Sequence, residues 1–361
     1  FPTRRSSDLC PDSIMCVCKQ CYYGSKCQLT TKGSSLSLDV ILGYHIRPYV
    51  SISRQTLPVK ISFTLTILFF VIGFINGLCS IITFHSKHIR EVGCGLYLYI
   101  LSIISFIILI LFTLKFCFLM FFQTAFITNR RTQKISCISM DFLVQSAVTI
   151  QYWLSICVSI ERIRVATRAS NRTRKDTLKI ARWTIPSIIL FVFISFIHDP
   201  LNRELIDDED DHRRTWCIIR YSSATKIYDS IIRIIHFLIP FAVNLVCALI
   251  IIISVARIHS NARQKKTFKQ YLREEFNEHK HLIISPISLV ILALPRLIVS
   301  FLTGCMKSIR YPWLFLAAYF ISFLPSFLTL VTFILPSKTY KDQFKTNVGK
   351  IFQLIKQKRI L

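Results

Sequence analysis

Long apolar stretches separated by short polar ones set the pattern of this chain. A helix needs about 20 mostly apolar residues to cross a hydrocarbon core of roughly 30 Å, and seven stretches reach that length. Ile61–Phe84 and Val92–Leu114 carry no charge, and Ile135–Ile160 carries Asp141 as its one acid. Leu178–His198 becomes long enough only by taking in Lys179 and Arg182. Ile234–Ala256 is free of Asp, Glu, Lys and Arg, His281–Thr303 contains Arg296, and Tyr311–Leu335 is again uncharged. In lipid the backbone must satisfy its own hydrogen bonds within each segment, so such stretches are read as helices. The pattern predicts an all-α membrane protein, a seven-transmembrane-helix bundle over 60–335. Beyond it, Tyr340, Phe344, Val348, Ile351, Phe352 and Ile355 recur at helical spacing with Lys341, Lys345, Lys350 and Lys356 between them. That predicts an amphipathic eighth helix over 336–361, lying in the headgroup plane and drawn to anionic lipid.

Composition supports lipid as the solvent. Of 361 residues 52% are hydrophobic, whereas charged residues make up only 18% yet sum to a formal +26. So little polar surface argues against a soluble nucleic-acid binder, whose basic groups would cover a mostly polar exterior. The distribution of Lys and Arg gives orientation. With the N-terminus outside, the cytoplasmic pieces 85–91, 161–179, 257–280 and 336–361 hold 23 of the 45 basic residues. The loop 199–220 on the other side holds four against seven acids. This predicts a multi-pass plasma-membrane protein with an extracellular N-terminus and a cytoplasmic C-terminus.

The chain opens on Phe without a secretory pattern, which points to missing upstream sequence. Residues 1–9 read as translated adapter text and are set aside as an artefact. Then follow Cys10 and the run Cys16-Val17-Cys18, Cys21, Gly24 and Cys27. A segment this small lacks a core and needs staples in an oxidising compartment; a zinc knuckle is the rival reading, but no His lies in the run, so no metal is expected. The spacing resembles the closing half of an epidermal-growth-factor-like module over 10–27. That resemblance implies Cys18–Cys27 and Cys10–Cys16 bridges and leaves Cys21 over. The polar stretch 28–59, with its Ser, Thr and two Pro, reads as an extracellular linker.

The third apolar stretch and its flanks are the most informative. Cys137 opens it, Glu161-Arg162-Ile163 closes it, and the 25 residues from Cys137 to Arg162 span about 37 Å of helix at 1.5 Å each. Cys217 lies in the loop between the fourth and fifth stretches. These features resemble the rhodopsin-like (class A) G-protein-coupled receptors, which share a bridge between such cysteines and an acid-Arg-aromatic triplet at this place. Other positions are similar to the family's: Asn76 within Gly73-Phe74-Ile75-Asn76-Gly77, Pro240 of the fifth stretch, Pro295 of the sixth, and Glu275 as an acid opposing the Arg. Thr329 opens the segment standing where Asn-Pro-x-x-Tyr is expected, and Tyr340 lies in the eighth helix. Ser105 stands where the family has an Asp that helps hold sodium, and Ala293 where it has a Trp. The stub together with the divergent core resembles an expanded invertebrate receptor group near the FMRFamide-type neuropeptide receptors.

Each chemistry-bearing residue has a plain reading beside its functional one. Arg162 either snorkels to the membrane face or exchanges ion-pair partners between Glu161 and Glu275 as a switch. Asp141 and Arg296 are intramembrane charges, costly unless they pair or line a cavity; they are read as paired with each other or as ligand contacts. Gln145, Tyr152 and His236 are either pocket residues or packed polar groups. The resemblance places an amine receptor's acid at the position of Val144, so a peptide is favoured over an amine. The run Asp207-Asp208-Glu209-Asp210-Asp211 is a solvated loop, or it steers a cationic ligand. Trp216 reads as a headgroup anchor. No phosphate loop, nucleophile elbow or zinc-protease motif is present, so no cofactor is expected and the chain is not read as an enzyme. The resemblance implies a receptor with three partners: an extracellular ligand, a heterotrimeric G protein and membrane lipid. The alternatives are a transporter or channel whose Asp141 and Arg296 line a path, and an adhesion protein using the stapled stub.

Overall fold

A computed structural model describes residues 22–23, 29–30, 37–43, 45–91, 94–124, 126–127, 129–166, 174–207, 215–261, 291, 294 and 312–358. The expected bridges of Cys10, Cys16, Cys18 and Cys27, and the roles given to Glu275, Pro295 and Arg296, lie outside these residues, as does most of the sixth apolar stretch. Two short antiparallel hairpins are present, β1 (Tyr22–Tyr23) with β2 (Leu29–Thr30) and β3 (Arg203–Asp207) with β4 (Thr215–Ile219). Among the described residues everything else of regular structure is helical. In chain order the helices are α1 (Leu38–Leu42), α2 (Leu57–Phe84), α3 (Lys87–Arg90), α4 (Gly95–Gln123), α5 (Arg130–Ala166), α6 (Arg174–Phe196) and α7 (His198–Leu201). They are followed by α8 (Ser223–Asn261), Pro312–Phe327 as α9, and Lys338–Lys358 as α10.

Among the described residues five helices are long and apolar enough to cross a membrane, and α9 is a shorter apolar helix that continues as a π turn over Leu330–Ile334. α5 occupies the centre: 67% of its central window is buried, against 28% in α2 and in the fourth span, 176–201. The surrounding helices turn apolar stripes outward, such as Ile67, Leu68, Val71, Ile72 and Ile75 on α2 and Leu245, Val246, Leu249 and Ile253 on α8. In water, patches of this size would associate; against acyl chains they are at rest.

Inside, Phe112 of α4 stacks with Tyr319 and meets Phe320, Phe323 and Phe327 of α9, with ring centroids 4.8–6.0 Å apart. Such offset and edge-on aromatic pairs add about 0.5–1.5 kcal/mol each beyond their buried area. Polar pins cross the same interface. Asn76 Nδ2 donates to the Phe327 carbonyl, and its Oδ1 accepts the Leu330 N–H at 2.8 Å. Thr329 Oγ1 lies 3.2 Å from Ser105 Oγ. On the other side of α5, Asn244 of α8 donates to Ser155 Oγ and to the Pro240 carbonyl, both at 2.9 Å, and accepts from Ser159 at 2.6 Å.

Several sequence expectations need correction at their edges. The fifth span starts at Ser223 rather than Ile234, because Asp229 and Arg233 neutralise each other one turn apart at 2.7 Å and so can sit within the helix. The second runs on to Gln123, as the apolar run beyond Lys115 suggests, with Lys115 buried and paired. The stretch 28–59 is not wholly a polar linker. Leu38, Ile41, Leu42 and Ile46 are at most 1% exposed and belong to the same core as Phe112 and Tyr319.

Candidate functional site

The two ends of α5 carry different chemistry. At one end Cys137 and Cys217 form a disulfide with Cα atoms 5.5 Å apart, fastening the β3–β4 hairpin to α5. At the other, Arg162 is 4% exposed and its guanidinium carbon lies 5.3 Å from the centre of the Phe333 ring. These are called the disulfide pole and the arginine pole below. The bridge closes a loop of 80 residues in sequence. Replacing both cysteines by Ser is expected to cost about 2–4 kcal/mol, read as a lowered thermal midpoint of the purified protein in detergent. An unchanged midpoint would mean that the hairpin is held by its other contacts.

The disulfide pole also carries a row of alternating charges. Asp39 of α1 accepts from Lys115 Nζ at 2.6 Å, and the same ammonium donates to Asp141 Oδ1. Asp141 Oδ2 accepts from Arg203 Nη1 at 2.7 Å, and Arg203 Nη2 lies 3.1 Å from Asp199 Oδ2. Tyr221 then donates to Asp199 Oδ1 at 2.9 Å. Burial first, and then the carboxylates of Asp199 and Asp229, push the Tyr221 phenol well above its ordinary pKa, so it stays a donor. Arg203 is held above its own usual value: burial disfavours its charge, but Asp141 and Asp199 outweigh that. Five charged groups from α1, α4, α5, the β3–β4 hairpin and α7 therefore meet where none alone could be buried cheaply.

Asp141 is engaged by Lys115 and Arg203, and its expected pairing with Arg296 lies outside the described residues. Sequence reasoning singled out neither cation. Lys115 interrupted an apolar run that trailed on past it, and Arg203 sat in a loop of mixed charge. A lysine breaking an otherwise clean spanning segment was the available signal, since an intramembrane charge implies a partner.

Beside the charge row, a cleft at the disulfide pole is lined by Asp39, Lys115, Gln123, Met140, Asp141 and Trp216 among others. Trp216 is 3% exposed and closes over Gly43, where an added Cβ would come within 2.6 Å of its ring. It is a packed wall of the cleft, not a headgroup anchor. Gln145 and His236 do not line this cleft. His236 is buried between helices, its Nδ1 accepting from Trp153 Nε1 at 3.0 Å, with Phe191 and Phe196 against its ring. Tyr152 likewise packs edge-on to Phe237.

At the arginine pole Glu161 accepts from Arg164 at 2.7 Å. Tyr340 of α10 is half-buried edge-on against Phe84, with its hydroxyl 3.6 Å from Cys94 Sγ. Asn347 ties the same helix to the Ile82 carbonyl at 2.9 Å. The tail helix is therefore docked on the base of α2.

No curated protein matches the chain. The model of the seven-transmembrane receptor (rhodopsin) family matches residues 75–355, most of the chain and with it Cys137, Arg162, Cys217 and Phe333, and the chain belongs to that family.

Proposed function

We propose that this receptor binds an extracellular ligand at the disulfide pole and activates a heterotrimeric G protein at the arginine pole, with its N-terminus outside and its C-terminus in the cytoplasm. A plasma-membrane, multi-pass receptor role follows from the family. What supports the finer reading is one observation. A single buried helix, α5, carries a covalent clamp beside a polar cleft at one end and a buried guanidinium on an aromatic ring at the other. A ligand that shifts the first end can bias the second through a rigid element. The basic loops 161–179, 257–280 and 336–361 suit an acidic cytoplasmic surface and anionic lipid.

A peptide fits better than an amine. Val144 is buried where an amine receptor's acid would stand, and Asp141 is engaged by two cations. The test is nucleotide exchange on purified G proteins of each subtype by the receptor in lipid nanodiscs, against peptide and amine panels. Exchange stimulated by a peptide, with an N-terminal epitope reached by antibody on intact cells, is the expected result. An epitope reached only after permeabilisation, or no exchange with any subtype, would overturn the reading.

A further inference from the structure

Beside the cleft at the disulfide pole, the chain's own segment Ser37–Ile46 fills the space between Lys115 of α4, Trp216 of β4 and the core of α9. Four of its five aliphatic side chains, Leu38, Ile41, Leu42 and Ile46, are fully buried in the aromatic core shared by α4 and α9. Its one acid, Asp39, reaches Lys115 at 2.6 Å. Its glycine, Gly43, lies under the Trp216 ring, where no larger residue fits without displacing the indole. Behind it the chain is fastened back toward α2. Gln55 Nε2 donates to the Arg47 and Val50 carbonyls at 2.7 and 2.9 Å, and Thr56 donates to the His45 carbonyl at 2.8 Å. The space left between segment and wall has room for waters rather than for a ligand of any size.

A helix of five residues is unstable alone in water, so its order here comes from the site it fills. The site offers a buried ammonium, an indole wall and an aliphatic and aromatic floor. We infer that Ser37–Ile46 is a tethered occupant of the ligand site, and that the ligand displacing it is a peptide bearing a carboxylate, terminal or side-chain, for Lys115 beside branched aliphatic residues. The alternating row explains the carboxylate. When Asp39 leaves, the acid that remains to Lys115 among the described residues is the one it shares with Arg203, and an incoming anion restores the order Asp39 had supplied. A ligand lacking that anion leaves a buried ammonium under-paired.

This inference rests on the receptor reading for the words "ligand site", but its experiment reads binding and backbone protection without a G protein, so the two fail separately. The probe is a fluorescent synthetic peptide of residues 37–47, and the receptor is a full chain whose residues 37–46 are replaced by a Gly-Ser linker of equal length. Saturable binding to the replaced chain is expected, about 10- to 100-fold weaker for the peptide carrying Asp39→Asn, the range that loss of one charge-assisted hydrogen bond gives. The intact chain, its site filled, should bind the peptide at least about ten-fold more weakly than the replaced chain. Equal binding to both chains, or equal binding of the Asp and Asn peptides, overturns the proposal. Should the replaced chain fail to fold, hydrogen exchange on the intact chain decides. The amides of Ile41, Gly43 and Ile46 bond to Ser37, Asp39 and Leu42 carbonyls. They are expected to be protected in the native receptor and to lose about ten-fold or more of that protection in Lys115→Gln. Exchange at free-chain rates in the native receptor overturns it.

Discussion

Asp141→Ala is expected to destabilise the receptor by about 3–5 kcal/mol, the usual cost of removing one partner from a buried ion pair. The magnitude follows from what is left behind. Lys115 and Arg203 both aim at Asp141, and their side chains are only 6% and 4% exposed. Without the carboxylate two cations face each other across a gap that water enters poorly. Asp39 and Asp199 remain on their far sides and relieve part of the repulsion. A thermal midpoint in detergent and the fraction of chain reaching the cell surface should both fall sharply. The double variant Lys115→Met/Asp141→Leu is expected to recover most of the loss, because well-packed apolar residues of similar volume often replace a buried pair at no cost. If the double variant is as unstable as the single one, the row is held by geometry that a pairwise account misses. If Asp141→Ala is neutral, the row is not buried in the way described.

Arg162→Ala is expected to abolish ligand-dependent nucleotide exchange while surface delivery stays within about two-fold. Arg162 lies at the end of α5 with its planar cation on Phe333, and Phe333 belongs to the π turn that follows α9. A cation–π contact shielded from water is worth about 2 kcal/mol. Losing that contact changes stability modestly, whereas removing the Arg162 guanidinium removes the group proposed to meet a partner. Arg162→Lys keeps the charge but not the flat stacking surface, so it should fall between the two. Guanine-nucleotide binding to a purified G protein checks all three. Full exchange by Arg162→Ala would show that the buried guanidinium is structural only.

Lipid makes the spans legible. A bilayer demands unbroken apolar length, and length is visible in one dimension, so the helices from Leu57 to Asn261 lie where the apolar stretches suggest. The interval from Cys137 to Arg162 was readable for the same reason, since distance along a helix is distance in space. Contacts between elements were not. Asp141 finds Lys115 and Arg203, 26 and 62 residues away, and no spacing rule joins them. The start of the fifth span was hidden by Asp229 and Arg233, which look polar singly and neutral together. The segment Leu38–Ile46 was hidden by brevity. Four buried aliphatics in nine residues make too short a period to stand out from a polar stretch, and only a ready-made site gives them a reason to order. Trp216 was misjudged because an indole beside a loop cysteine suits an interface and a packed wall equally well.

Asn76 has one more consequence. Its amide grips the main chain on both sides of the place where α9 widens into the π turn, taking the Phe327 carbonyl and the Leu330 N–H. A five-residue turn is a weak point in a helix, and here a side chain from α2 splints it. The first and last spans consequently behave as one stator, with the tail helix bolted to its foot through Asn347. In the proposed receptor, whatever swings aside to admit a partner is expected to pivot against that tied half.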